Sequence, residues 1–301
     1  MSATRYGFIN PKGEWVIPSP HGTPFSFNEG LARMPAGKGW AFIDVKGQLK
    51  LQVKHAFTGF NDGLALTSEG FIDGQGKLVL PVAFKANFTK YIVAGTAYEN
   101  VGRFGSGLAP VMRAGAKATD AYINRKGEVV LDGFAGGLAR PFAGGKAHVV
   151  LKEGPKGERS RLIDPKGRCL ASFDFKVMGH FSDGLALVVK SRKFGFVDET
   201  GAWVLEPTFS PWGDTYLSEC AFREGLAPVK VKGRYGFIDR TGALVIEPRF
   251  QAVTGTFSEG LAAVKQDGLY GYVRPDGSWA VPPRFASAQP FSHGLAVVLN
   301  A

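Results

Sequence analysis

Two phrases, each written eight times, govern what this chain can fold into. The first is an aromatic residue, two further residues and then Gly-Leu-Ala, beginning at Phe27, Phe60, Phe104, Phe142, Phe181, Phe222, Phe257 and Phe291, at intervals of 33 to 44 residues. The copy at Phe142 is weak and reads FAGGKAHV. The second is aromatic-Gly-aromatic-aliphatic-Asp, as in YGFIN at Tyr6, WAFID at Trp40, FGFVD at Phe194, YGFID at Tyr235 and YGYVR at Tyr270, with drifted copies at Gly70, Ala121 and Arg161. Self-similarity at such a period is the mark of an array of small units, each too small to bury its own apolar face alone.

Each second phrase runs into a turn of one kind: NPKGEW, DVKGQL, DGQGKL, NRKGEV, DPKGRC, DETGAW, DRTGAL and RPDGSW. Asp or Asn opens such a turn through its side chain, Pro at Pro11, Pro165 and Pro275 pre-sets φ, and Gly takes the left-handed position. This chemistry assigns Asp44, Asp73, Asp164, Asp198 and Asp239 to local backbone bonding rather than to catalysis or metal binding. A short strand such as ALVIEP follows and is ended by Pro, which cannot donate to a central ladder. Gly-Leu-Ala opens another strand. Each unit is thus expected to hold three antiparallel strands, with a fourth near PRFQAV. Forty-one glycines and 24 phenylalanines fit aromatic strands punctuated by tight turns and leave few runs for a long amphipathic helix.

The chain opens with the second phrase and ends with the first, so the last strand could find its missing companions in the first hairpin. An open stack would need polar caps at both ends, and neither terminus reads as one. The expectation is an all-β fold: one repeat domain over residues 1–301, its eight units near 6–39, 40–69, 70–120, 121–160, 161–193, 194–234, 235–269 and 270–301. The units would close into a propeller-like ring with the C-terminal strand completing the N-terminal unit; an open β-solenoid is the alternative.

The phrases YGFIDRTGALVIEP, YGYVRPDGSWAVPP, FGFVDETGAWVLEP, FSEGLA and FSDGLA resemble the bacterial WG-repeat (KWG) family over essentially the whole chain. The family's Trp-Gly pair is mostly Tyr-Gly or Phe-Gly here, and Trp40 is followed by Ala41. The resemblance implies an interaction module and brings no catalytic residues with it.

Charge is distributed unevenly along the repeat. The eight Asp-type turns hold nine basic and nine acidic residues, whereas the segments joining Gly-Leu-Ala to the next aromatic-Gly phrase hold fifteen basic and five acidic ones, a difference equal to the net charge of +10. The densest stretches carry Lys190, Arg192 and Lys193, then Lys230, Lys232 and Arg234; next come Lys152, Lys156, Arg159 and Arg161, with Arg113 and Lys117 on a further unit. Such tips protect solubility, and gathered on one side they would dock an anionic partner. The expected partner is an acidic protein surface; no nucleic-acid motif accompanies the charge.

Chemistry is sparse. His21, His55, His148, His180 and His293 are scattered without metal-ligand spacing, and neither a nucleophile elbow nor a phosphate loop occurs. Cys169 and Cys220 are expected to be free thiols packed as small apolar groups. No signal peptide and no apolar run of about 18 residues is readable, which makes a cytoplasmic monomer the expectation. The reading is therefore a non-catalytic scaffold without cofactor or metal. The alternative is an enzyme or small-ligand binder with a pocket at a central channel near residues 85–160, where 89–103, 112–120 and 154–160 are inserted.

Overall fold

All eight glycine turns adopt the geometry expected of them. The computed structural model describes residues 6–19, 22–85, 90–93, 96–113, 119–135, 139–152, 158–173, 181–190, 193–209 and 221–301. In seven turns the side-chain oxygen of Asn10, Asp44, Asp73, Asn124, Asp164, Asp198 or Asp239 accepts the backbone N–H groups two and four residues on, at 2.8–3.1 Å. Gly13, Gly47, Gly76, Gly127, Gly167, Gly201, Gly242 and Gly277 sit in the left-handed region at φ between 77° and 90°. In the eighth turn Arg274 replaces the acid, and Asp276 accepts the Ser278 N–H instead.

Every copy of the second phrase is a strand, and the chain divides into two compact units. One comprises 1–49 and 178–301. It holds the three-stranded sheets Leu185–Lys190, Lys193–Asp198, Trp203–Phe209 and Ala227–Val231, Arg234–Ile238, Leu244–Phe250. Its largest sheet runs in the order Trp15–Ser19, Tyr6–Ile9, Ala296–Asn300, Trp279–Ala288, Leu269–Val273, Leu261–Gln266, Ala252–Ser258. The C-terminal strand therefore lies against the N-terminal one, antiparallel, with Tyr6 opposite Leu299 and Ile9 opposite Ala296. The fourth strand near PRFQAV exists, as Ala252–Ser258 paired with Leu261–Gln266.

The other unit comprises 50–177. Its eight-stranded sheet runs from Ala65–Thr67 through Gly70–Ile72, Leu78–Lys85, Lys90–Val93, Thr96–Val101, Ala109–Arg113 and Thr119–Ile123 to Val129–Ala135. Ala147–Lys152, Glu158–Ile163 and Cys169–Phe173 form a separate sheet. The first insertion is thus a hairpin, Lys90–Val93 with Thr96–Val101, built into the sheet rather than added as a loop. Residues 114–118 and 154–157 of the other two insertions lie outside the described residues.

Successive repeats interlock through aromatic pairs. The second aromatic of one YGF-type strand meets the aromatic that opens the next Gly-Leu-Ala phrase: Phe8 with Phe27, Phe71 with Phe104, Tyr122 with Phe142, Phe196 with Phe222, Phe237 with Phe257 and Tyr272 with Phe291, at ring-centroid distances of 4.7–5.0 Å. The tilted and edge-on geometries are those aromatic quadrupoles favour. The glycine before that aromatic is required by crowding. A Cβ on Gly7, Gly195, Gly236 or Gly271 would lie 2.4–2.6 Å from a carbonyl oxygen of the neighbouring strand, at the bulge where register shifts and the proline falls.

The turn before each Gly-Leu-Ala strand supplies a second interlock. Its two central residues both have positive φ, for example Glu224 (53°) with Gly225 (79°), which a two-residue type I′ turn demands. The side chain of the first accepts the glycine N–H of the next repeat: Asp62 from Gly107, Asp183 from Gly225, Glu224 from Gly260 and Glu259 from Gly294, at 2.7–2.9 Å. His293 continues the series by accepting from Gly30 at 3.1 Å, again joining the end of the chain to its beginning. Cys169 departs from expectation: it is an exposed free thiol at the start of an outer strand, not a packed apolar group, and Cys220 lies outside the described residues.

Candidate functional site

The basic tips are hairpins, and the one at Lys232 is the most fully described. Strands Ala227–Val231 and Arg234–Ile238 are joined by Lys232 and Gly233, at φ of 48° and 83°. Lys232 and Arg234 are exposed, while Lys230 lies opposite Tyr235 with its ammonium 5.0 Å from the ring centroid. That ring face braces the lysine stem and attracts its charge. Three cations thus share one two-residue turn, and residues 228–235 contain no acid.

The other sequence-derived positions are less concentrated. Lys193 is exposed and opens a strand in which it pairs with Lys190, so those two flank one hairpin end. Lys152 ends a strand opposite Glu158, Arg159 pairs with Leu151, and Arg113 pairs with Tyr98. Arg161 is not at a tip: it lies mid-strand between Val149 and Ser172, in the slot that glycine holds in YGF. Arg192, Lys156 and Lys117 lie outside the described residues.

Two further cations belong to the same braced pattern, and for Lys265 the signal was its place facing the aromatic across the hairpin. Lys265 lies opposite Tyr270 with its ammonium 5.4 Å from that ring. Arg33 stacks 3.8 Å from the centroid of Phe25 and 5.4 Å from that of Trp40, and burial pulls its guanidinium below the usual arginine value. In that repeat Pro35 occupies the place opposite Trp40, so the cation comes from two residues earlier.

The aspartates have a different electrostatic role. The Thr200 hydroxyl on Asp198 and the Thr241 hydroxyl on Asp239, followed by turn amides, hold those carboxyls below the ordinary range. For Asp164, burial pushes upward, but the hydrogen bonds from the Arg168 side chain and the turn amides outweigh it. These groups stay ionised and locked to their own turns. Among the described residues no three His, Cys, Asp or Glu side chains gather as a metal site, and no helix is long and apolar enough to cross a membrane.

Small antiparallel sheets repeated along the chain and interlocked by aromatic pairs define an all-β, propeller-like repeat protein. Among solved structures the chain is similar to BamB from Moraxella catarrhalis, at a TM-score of 0.50 and 13% identity over 93% of this chain and 97% of that one. It is also similar to a eukaryotic initiation factor (TM-score 0.49, 13% identity, 95% and 86% covered) and to Hsv2 of Kluyvelomyces marxianus (0.49, 10%, 84% and 93%). At 13% identity the likeness to BamB concerns the fold alone. The model of the WG containing repeat matches residues 6–19, 161–193, 235–270 and 270–300, so the chain carries WG-type repeats in those stretches. No curated protein matches it.

Proposed function

We propose that the protein is a non-catalytic, cytoplasmic, monomeric scaffold whose basic hairpin tips dock an acidic protein surface. The observation that carries this reading is the Lys232 hairpin, where Lys230, Lys232 and Arg234 crowd one turn and Tyr235 braces Lys230. Lys190 and Lys193 form a similar basic hairpin end, and Lys265 on Tyr270 repeats the braced arrangement. A propeller-like repeat fold supports the reading because such folds commonly serve as protein-interaction platforms, although site and not fold decides function. The charge contrast between the two kinds of turn supports an electrostatic partner, since exposed cations act mainly by steering and complementarity.

The test is a low-salt pull-down from the native cell with high-salt elution, repeated with Lys190, Arg192, Lys193, Lys230, Lys232 and Arg234 reversed to Glu. The captured protein is expected to elute as ionic strength rises and to be lost from the reversed variant. Retention by the reversed variant sinks the proposal. Capture of nucleic acid in place of protein sinks the choice of partner.

A further inference from the structure

Where the last repeat meets the first, one side chain differs in kind from its counterparts. Asp62, Asp183, Glu224 and Glu259 each hold the glycine N–H of the next repeat with a carboxylate, and His293 takes their place with an imidazole. The backbone is unchanged: His293 and Gly294 have φ of 56° and 75°, against 55° and 77° for Glu259 and Gly260. The preceding junction supplies the comparison. There Ser258 donates to the carbonyl of Phe291 and Glu259 accepts the Gly294 N–H, both at 2.8 Å. At the last junction Ser292 donates to the carbonyl of Phe27, and His293 accepts the Gly30 N–H at 3.1 Å.

This chain of bonds fixes the imidazole proton. A carbonyl oxygen only accepts, so the Ser292 hydroxyl donates to Phe27. Its oxygen, 3.2 Å from Nδ1 of His293, then accepts from the ring, and Nδ1 carries the hydrogen. A backbone amide only donates, so Nε2 meets Gly30 with its lone pair. One form satisfies both demands, the neutral tautomer protonated at Nδ1. An imidazolium carries a second hydrogen on Nε2, aimed at the hydrogen of Gly30. The carboxylates of the other junctions meet no such conflict in mild acid, because carboxyls as a class titrate near pH 4.

His293 is exposed, with its ring 6.3 Å from that of Phe27, so solvent protons reach it directly. Charged side chains stand on the elements around it. Glu29 adjoins Gly30, Asp44 and Lys46 lie in the turn beside Leu31, Lys12 and Glu14 lie in the turn beside Ala296, and Glu259 belongs to the preceding repeat. Arg33, on the strand that follows Gly30, is engaged by the Phe25 and Trp40 rings. At the Asp62 and Asp183 junctions an arginine of the next repeat, Arg125 or Arg240, also donates to the backbone carbonyl of that aspartate. Val45 holds the corresponding place after Asp44, so the last junction lacks that second bond.

We propose that His293 is a pH-sensitive latch between the last repeat and the first, closed by the neutral imidazole and released when acid protonates Nε2, while the carboxylate junctions stay shut. Histidine changes charge between about pH 5 and 8. The bond to Gly30 is therefore present above that range and lost below it.

The experiment is amide hydrogen exchange on the full chain at about pH 7.5 and about pH 5.5, with each rate corrected for the intrinsic effect of pH. Protection of the Gly30 N–H is expected to fall about two- to tenfold, the worth of one hydrogen bond, while Gly225 and Gly260 hold constant. His293→Glu and His293→Gln, which each supply an oxygen acceptor, should keep Gly30 equally protected at both values. Asp183, Glu224 and Glu259 show that successive turns tolerate a carboxylate there. A change at Gly30 below about twofold, or an equal fall at Gly225 and Gly260, would overturn the latch in the wild-type protein alone. The same fall at Gly30 in either folded variant would overturn it as well.

Discussion

At Asp239 the carboxylate accepts the Thr241 hydroxyl at 2.6 Å and the amides of Thr241 and Ala243 at 2.8 and 3.1 Å. These donors favour the ionised form, so the folded-state pKa lies below the unfolded value of about 3.9. The stabilisation is thus complete above about pH 4 and is lost as pH falls through the lower folded value. Asp239→Ala should lower the urea midpoint at neutral pH, whereas Asp239→Asn should nearly preserve it, because Asn10 and Asn124 hold the same turn amides in their own repeats. The difference between wild type and Asp239→Ala should shrink below pH 4; a gap that persists there would place the effect elsewhere than in the carboxylate. This aspartate was legible in sequence because its partners lie within four residues.

Between elements, the Phe237 ring carries more of the stability than any turn. It is fully buried, 4.9 Å from Phe257, and its deletion leaves a void that two repeats share. Phe237→Ala should cost about 3–5 kcal/mol by chemical denaturation. A cost near that of an exposed substitution would show that adjoining repeats do not rely on the pair. The strands around it were legible from alternation and glycine turns, and the sites of the tightest glycines from the recurrence of YGF. What alternation missed is pairing that depends on a free neighbouring edge. Residues 89–103 read only as an insertion, yet Lys90–Val93 and Thr96–Val101 form a hairpin because Leu78–Lys85 and Ala109–Arg113 offer edges on either side. Ala252–Ser258 likewise becomes a strand through the edge of Leu261–Gln266.

For the whole molecule, the pairing of first and last strands was legible because each end of the sequence carried one of two phrases that everywhere else occur together. The basic tips were legible in part: counting charges singled out Lys230, Lys232 and Arg234, but not the bracing of Arg33, whose ring partners Phe25 and Trp40 are set by the fold. Removing residues 295–301 should uncover the edges of Tyr6–Ile9 and Trp279–Ala288 together with the buried side of Leu295, Val297 and Val298. Unpaired apolar edges recruit other chains. The shortened protein should melt earlier and elute as aggregates in gel filtration; a monomer with an unchanged melting temperature would contradict the role given to that strand.

The meeting of Tyr6 with Leu299 also has a bearing on biogenesis. A ribosome extends a chain by roughly 5–20 residues per second, so the hairpin of Tyr6–Ile9 and Trp15–Ser19 stands half-built for many seconds until Ala296–Asn300 has been made. Until then Tyr6–Ile9 offers an unpaired edge, and its sheet is completed by the arrival of a strand rather than by the collapse of a core.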